Sequence, residues 1–167
     1  MKENMTDLKD LLTDEEWEML CDCCGLCCLY KVQDQDTGEV FYTSVVCPLL
    51  DRETARCTAY AERFKQMPSC TKISAENLRK IACWLPKSCA YRCLAEGVAL
   101  PDWHPLMKDP SPETEALRNK LAEYCVRPNT CITRETIQQI IQNSFAPRSF
   151  RKLNRLLLAN VIEDIDI

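Results

Sequence analysis

"CDCCGLCCLYK", residues 21–31, places Cys21, Cys23, Cys24, Cys27 and Cys28 within eight positions. Crowding of this kind serves disulfides, a reactive thiol centre, or a metal or cluster held by thiolates. The chain carries 13 cysteines in 167 residues, eleven of them between Cys21 and Cys93. The count is odd. The first five sit too close for unstrained pairing, because a disulfide needs a defined Cα separation and torsion. The stretch "MKENMTDLKDLLTDEEWEML" is acidic and amphipathic, not a basic segment followed by an apolar run. A cytoplasmic, reducing location is therefore expected, where disulfides are rare.

The spacing Cys21-x-x-Cys24-x-x-Cys27 lets a turn of backbone wrap a metal while its N–H groups point at sulfur, as in zinc knuckles and ferredoxin-type clusters. Three cysteines so spaced, plus a remote one followed by proline, is ferredoxin grammar, and Cys47-Pro48 supplies the remote member. The agreement is partial, since a ferredoxin run keeps its last cysteine close by. Neighbouring side chains in extended backbone point to opposite sides. Cys27 and Cys28 thus serve two sites more easily than one. Cys57, Cys70 and Cys89 are then the remaining ligands, and eight thiolates make two tetrathiolate centres, zinc or iron–sulfur.

The rest of the composition sets limits. A chain of 167 residues, 46 % hydrophobic and 28 % charged, builds a core without disulfide staples. A net charge of −4 argues against a general nucleic-acid binder. Apolar runs such as "LLLA" at 156–159 are too short to span a bilayer, so no membrane partner is expected. With only three glycines there is no phosphate loop, and no GxGxxG or CxxxCxxC motif can be laid on the chain.

Local patterns predict the elements. A helix is expected over 6–20, with Thr13 and Glu16 as a capping box and Trp17 and Leu20 on its buried face. Residues 29–46 read as a β-hairpin around "QDTG". Helices are expected at 58–66, 75–84 and 87–96, the last ending at Gly97. "LPDWHPLMKDPSP", 100–112, is an extended, proline-rich crossover. Beyond it helices are expected at 112–125, 134–144 and 148–163, the last with a stripe of Phe150, Leu153, Leu157 and Val161.

The segments "LCDCCGLCCLYK", "VVCPLL", "CTAYAERF", "SCTKI", "WLPKSCAYRCLAEG" and "LPDWHPL", in that order from Trp17 to Leu106, resemble the YcgN-like family of small bacterial proteins. Their domain, CxxCxxCC, is regarded as zinc- or iron-chelating and is related to flagellin lysine-N-methylases. The resemblance implies eight ligands: Cys21, Cys24, Cys27, Cys28, Cys47, Cys57, Cys70 and Cys89. It names a metal but no reaction, and no catalytic residue is assigned. It also marks a departure. Cys23 stands where glycine is expected, and a glycine there would serve a left-handed turn that cysteine enters at a cost of ~1 kcal/mol or more.

Other residues take plainer readings. Cys83 and Cys93 fall in predicted helices as small buried hydrophobes. Cys125 and Cys131 bracket a helix-to-helix turn and read as ordinary thiols. His104, the one histidine, reads as a loop residue packed beside Trp103 and Pro105 rather than a ligand. The sequence therefore predicts a mainly α fold with a small β-hairpin: a single metal-organised domain at 1–107 and a C-terminal helical extension at 108–167. The first expectation is an iron–sulfur protein (4Fe–4S) with a redox or methyl-transfer-associated role. The alternative is a zinc-binding structural or adaptor module, or a zinc- or iron-handling protein. Metal ions are the expected partners, with a protein partner left open.

Overall fold

The structure, a computed structural model, describes residues 8–130 and 133–146. The expected helix at 148–163, its stripe from Phe150 to Val161, and Cys131 lie outside the described residues.

The expectation of a single, mainly α domain does not hold. The chain divides into two compact units, one from Met1–Asp22 and Lys72–Ile132, the other from Cys23–Thr71 and Thr133–Ile167. Of the described residues 42 % are helical and 14 % lie in strands, and the strands form two small antiparallel sheets rather than one hairpin. The physical reason lies in the cysteine-rich half. Its turns are fixed by glycine, proline and Asx hydrogen bonds, which favour tight loops over helical continuation.

The first unit begins with two short helices, α1 (Leu8–Leu11) and α2 (Asp14–Met19), where the sequence suggested one. The capping box separates them. The Glu16 N–H donates to Thr13 Oγ1 at 3.2 Å, and the Thr13 N–H donates to Glu16 Oε2 at 2.9 Å. Trp17 then anchors the unit. Its Nε1–H donates to the Ile73 carbonyl at 3.2 Å, its ring lies 5.2 Å from that of Tyr91, and the Tyr91 hydroxyl donates back to the Trp17 carbonyl at 2.9 Å. Leu20, Leu78, Leu94 and Leu117 are fully buried around this point.

The second unit opens with β1 (Leu29–Gln33) and β2 (Val40–Val46), the predicted hairpin. Its turn is an Asx turn: Asp34 Oδ1 accepts from the N–H groups of Asp36 and Thr37 at 2.9 and 2.7 Å. Pairing runs from Gln33↔Val40 to Lys31↔Tyr42 and resumes at Leu29↔Val46, so a bulge intervenes. The Thr43 hydroxyl covers it, donating to the Tyr30 carbonyl at 2.7 Å and accepting from the Val45 N–H at 3.2 Å. A second, minimal pair joins β3 (Leu50–Asp51) to β4 (Arg56–Cys57). The expected helix at 58–66 contracts to α3 (Arg63–Gln66).

Back in the first unit, the helix expected at 75–84 is α4 (Leu78–Ile81) continued by a 3-10 turn at Ala82–Trp84. Next comes α5 (Ala90–Glu96), closed by Gly97 in the left-handed conformation (φ 64°), where the sequence placed its C-terminus. The crossover holds one turn, α6 (Pro105–Lys108), before α7 (Pro112–Tyr124), which Ser111 caps. The chain then returns to the second unit as α8 (Arg134–Asn143), capped by Thr133. Ile137 and Ile141 on α8 are each 1 % exposed. Beyond α8, Phe145 exchanges backbone hydrogen bonds with β2: its N–H donates to the Ser44 carbonyl at 2.9 Å, and its carbonyl accepts from the Val46 N–H at 2.8 Å.

Candidate metal centre

The centre is assembled by turns. Cys23 has φ 55°, the left-handed region foreseen for that position. Gly25 follows at φ 78°, and a Cβ there would stand 3.3 Å from the Ala55 Cβ and 3.4 Å from both Ile141 Cδ1 and Leu50 Cδ2. Two reversals so close together tip the chain into a 3-10 turn at Leu26–Cys28, where the Cys28 N–H donates to the Gly25 carbonyl at 3.0 Å. Buried Leu26 plugs this turn into the unit and leaves Cys27 exposed.

The remote cysteines are brought to it by backbone. The Cys47 N–H donates to the Cys28 carbonyl at 2.9 Å, and the Leu50 N–H closes the Cys47-Pro48 turn onto the Cys47 carbonyl at 3.0 Å. Cys57 is the cross-strand partner of that same Leu50. Cys70 ends a turn after α3, its N–H donating to the carbonyl of buried Met67 at 2.9 Å.

Three of these thiols, Cys28, Cys47 and Cys70, consequently feel their neighbours. The Cys27 and Cys28 sulfurs are 4.0 Å apart. The Cys28 thiol is driven far above its ordinary range by its hydrogen bond with Cys27, then by burial, then by the charges of Cys27, Cys47 and Cys70. Cys47 is raised by burial, against a lowering bond from Leu49, and by the charges of Cys57 and Cys27. Cys70 is raised by burial, with Arg63 pulling the other way and Cys47, Cys27 and Cys57 adding to the rise. Such thiols resist ionising together, and a bound cation removes that resistance, because a coordinating thiol is deprotonated outright. The donor set is soft, all-sulfur and suited to zinc or iron–sulfur. It is a neighbourhood rather than a closed shell: among the described residues no three cysteine, histidine or carboxylate side chains stand ready as a metal cage.

The other expected ligands are placed differently. Cys24 belongs to the same unit, and its charge acts on Lys31 together with those of Cys27 and Cys28. It also lines a cavity with Cys23, Arg52 and Ile141. Cys21 and Cys89 belong to the other unit, Cys21 exposed just after α2 and Cys89 half-buried before α5. No disulfide joins the twelve described cysteines.

The plainer readings mostly hold. Cys93 is buried, its thiol donating to the Lys87 carbonyl at 3.6 Å. Cys125 is a core thiol that burial pushes up to about 11, and it donates to the Cys93 carbonyl at 3.7 Å. Cys83 departs from its expected burial and is exposed, within the 3-10 turn that continues α4. His104 is fully buried and caps α6, its Nδ1 accepting from the Leu106 N–H at 3.2 Å.

Sequence reasoning missed Lys31. Its Nζ donates to the Cys27 carbonyl at 2.9 Å and to the Leu29 carbonyl at 2.7 Å, and it lies 5.2 Å from the centre of the Tyr42 ring. Burial lowers its pKa, and the charges of Cys27, Cys28 and Cys24 oppose that lowering. The usable signal was a lysine three residues after a double cysteine, in the middle of a strand.

The CxxCxxCC family, described as "Putative zinc- or iron-chelating domain", matches residues 20–90, which hold all eight expected ligands. The chain is 55 % identical over 97 residues to UPF0260 protein GOX1406 of Gluconobacter oxydans, covering 58 % of this chain and 59 % of that protein. It is 52 % identical over 107 residues to a UPF0260 protein of Parvibaculum lavamentivorans, covering 64 % and 67 %. The chain belongs to the UPF0260, YcgN-like family. The UPF0260 protein YcgN of Salmonella newport shows the same relation, 52 % identical over 98 residues, 59 % of this chain and 63 % of that one. The chain spans 59 % of the length of the Gluconobacter UPF0260 protein. No solved structure matches it. Among the described residues no helix is long and apolar enough to cross a membrane.

Proposed function

We propose that this chain is an iron–sulfur protein, its cluster held by thiolates drawn from Cys21, Cys24, Cys27, Cys28, Cys47, Cys57, Cys70 and Cys89. The observation that carries the reading is the action of Cys27, Cys47, Cys57 and Cys70 on Cys28, Cys47 and Cys70 within one unit. Neighbouring thiols that hold Cys28, Cys47 and Cys70 protonated are costly to ionise unless a cation collects them. The overlapping CxxC spacing and Cys47-Pro48 favour iron–sulfur over zinc. A reducing, cytoplasmic setting belongs to the same reading, since thiolates held by metal take the place of disulfides there. Residues 1–107 carry all eight candidate ligands and 108–167 carry none of them.

A bound cluster would supply one-electron transfer, with its potential set by nearby charge and hydrogen bonds. The chain's own residues would hold it: the Gly25–Cys28 turn presents two ligands, and the Cys47 and Cys57 turns present two more. The role is redox or associated with methyl transfer. Purification without oxygen, with a visible spectrum and assay of metal and sulfide, tests this. Brown protein with iron and acid-labile sulfide is expected. Colourless protein with stoichiometric zinc and no sulfide would replace the cluster by a zinc module.

A further inference from the structure

We propose that Lys31 is the built-in counter-charge of the thiolate centre, holding its ammonium against the Cys27–Cys28 turn to offset the negative charge that the ligands acquire with metal. The inference rests on the metal reading above and adds a positioning residue to it.

Four observations place the ammonium there. Lys31 donates to the carbonyls of Cys27 and Leu29, so its head folds back along its own strand onto the turn that carries two ligands. Its cross-strand partner Tyr42 offers a ring face from the other side, which favours a cation at that point. The turn it grips is the one whose two sulfurs, those of Cys27 and Cys28, lie 4.0 Å apart. Among the described residues no carboxylate pairs with Lys31, unlike Lys65, Arg92 and Lys120.

A half-buried ammonium satisfied by neutral carbonyls alone is poorly compensated. Both deficits cancel when the thiolates are charged: the lysine gains its anions and the anions their cation. Four thiolates around zinc leave a net charge of −2, and a reduced or oxidised cluster with four thiolates is also an anion. In either case the ligand set needs a fixed positive neighbour. Lysine suits this better than a hydrogen-bonding neutral residue because its charge acts on several sulfurs at once.

The test measures zinc(II) affinity of the full-length apo-protein by competition with a chromogenic chelator, for wild type, Lys31→Met and Lys31→Arg. Loss of a partner outside the ligands costs metal affinity on the order of tenfold to a hundredfold. Lys31→Met is expected to bind zinc at least about tenfold more weakly. Lys31→Arg is expected to stay within about threefold of wild type, because it keeps charge and donors. Equal affinity in wild type and Lys31→Met overturns the proposal. So does an equal loss in both variants, which would mean that the lysine's shape matters and its charge does not. Should Lys31→Met fail to fold, the comparison passes to Lys31→Gln, which keeps a donor without charge; a Gln variant that binds like Lys31→Arg also overturns it. Wild-type protein that takes up no zinc, cobalt or iron defeats the metal reading itself, and this one with it.

Discussion

The backbone N–H of Cys47 donates to the carbonyl of Cys28 at 2.9 Å, so two candidate ligands far apart in sequence are joined before any metal is considered. The thiols need not search for each other from an open chain. Cys28→Ser and Cys47→Ser should each lower bound metal to below about half of wild type, since each would take a thiolate from the proposed ligand set. Cys83→Ser, at an exposed position in the other unit, should leave metal content unchanged. Elemental analysis of the three purified variants checks this, and full metal content in Cys28→Ser would exclude that residue as a ligand.

Cys23→Gly should stabilise the protein. The left-handed conformation of Cys23 costs ~1–2 kcal/mol that glycine does not incur. Glycine returns about 0.4–1 kcal/mol of that through a freer unfolded chain. The net gain is up to about 1 kcal/mol, a rise in Tm of roughly 2–4 °C by calorimetry. Metal content should not change.

Gly25→Ala should act in the opposite direction. The new Cβ enters a left-handed backbone and stands 3.3 Å from the Ala55 Cβ, where side chains are packed. A loss of about 2 kcal/mol is expected from conformation and crowding together. Urea unfolding followed by circular dichroism measures it. A midpoint equal to wild type would mean that the turn relaxes freely.

Acid sensitivity should trace partly to Glu16. Lys120 Nζ sits 2.6 Å from its Oε1, and this hydrogen bond, followed by the Thr13 N–H, holds the carboxyl below its ordinary value of 4.5. A depressed folded-state pKa means stability that is present above about pH 4.5 and lost as pH falls through the lowered value. Glu16→Gln should therefore be less stable than wild type near neutrality and converge with it in acid. Thermal melts between pH 3 and 7 test the convergence, and parallel curves would refute it.

What the sequence disclosed was local chemistry. The Thr13–Glu16 box, the hairpin turn around "QDTG" and the Gly97 stop stand where their residue types put them. Each depends on interactions within four residues, which periodicity and side-chain type encode directly. Family resemblance added the left-handed Cys23. Helix lengths were overread, as at 58–66 and 75–84, because apolar spacing does not register where a loop's own hydrogen bonds compete. The pairing of Phe145 with β2 and the burial of Ile141 near Gly25 were invisible, since nothing local announces a partner about a hundred residues away. Lys31 was missed for the same reason: its meaning comes from the fold-back of its head, not from its neighbours in the chain.

The path of the chain through its two units, 1–22, 23–71, 72–132 and 133 onward, carries a consequence for biosynthesis. A ribosome that has delivered every candidate ligand through Cys89 has not yet made α8 or Phe145, which cover the Gly25 turn and the β2 edge. The nascent chain thus passes through an interval with its ligands exposed and its lid unwritten. Metal that reaches the chain in that interval meets thiols not yet covered by α8.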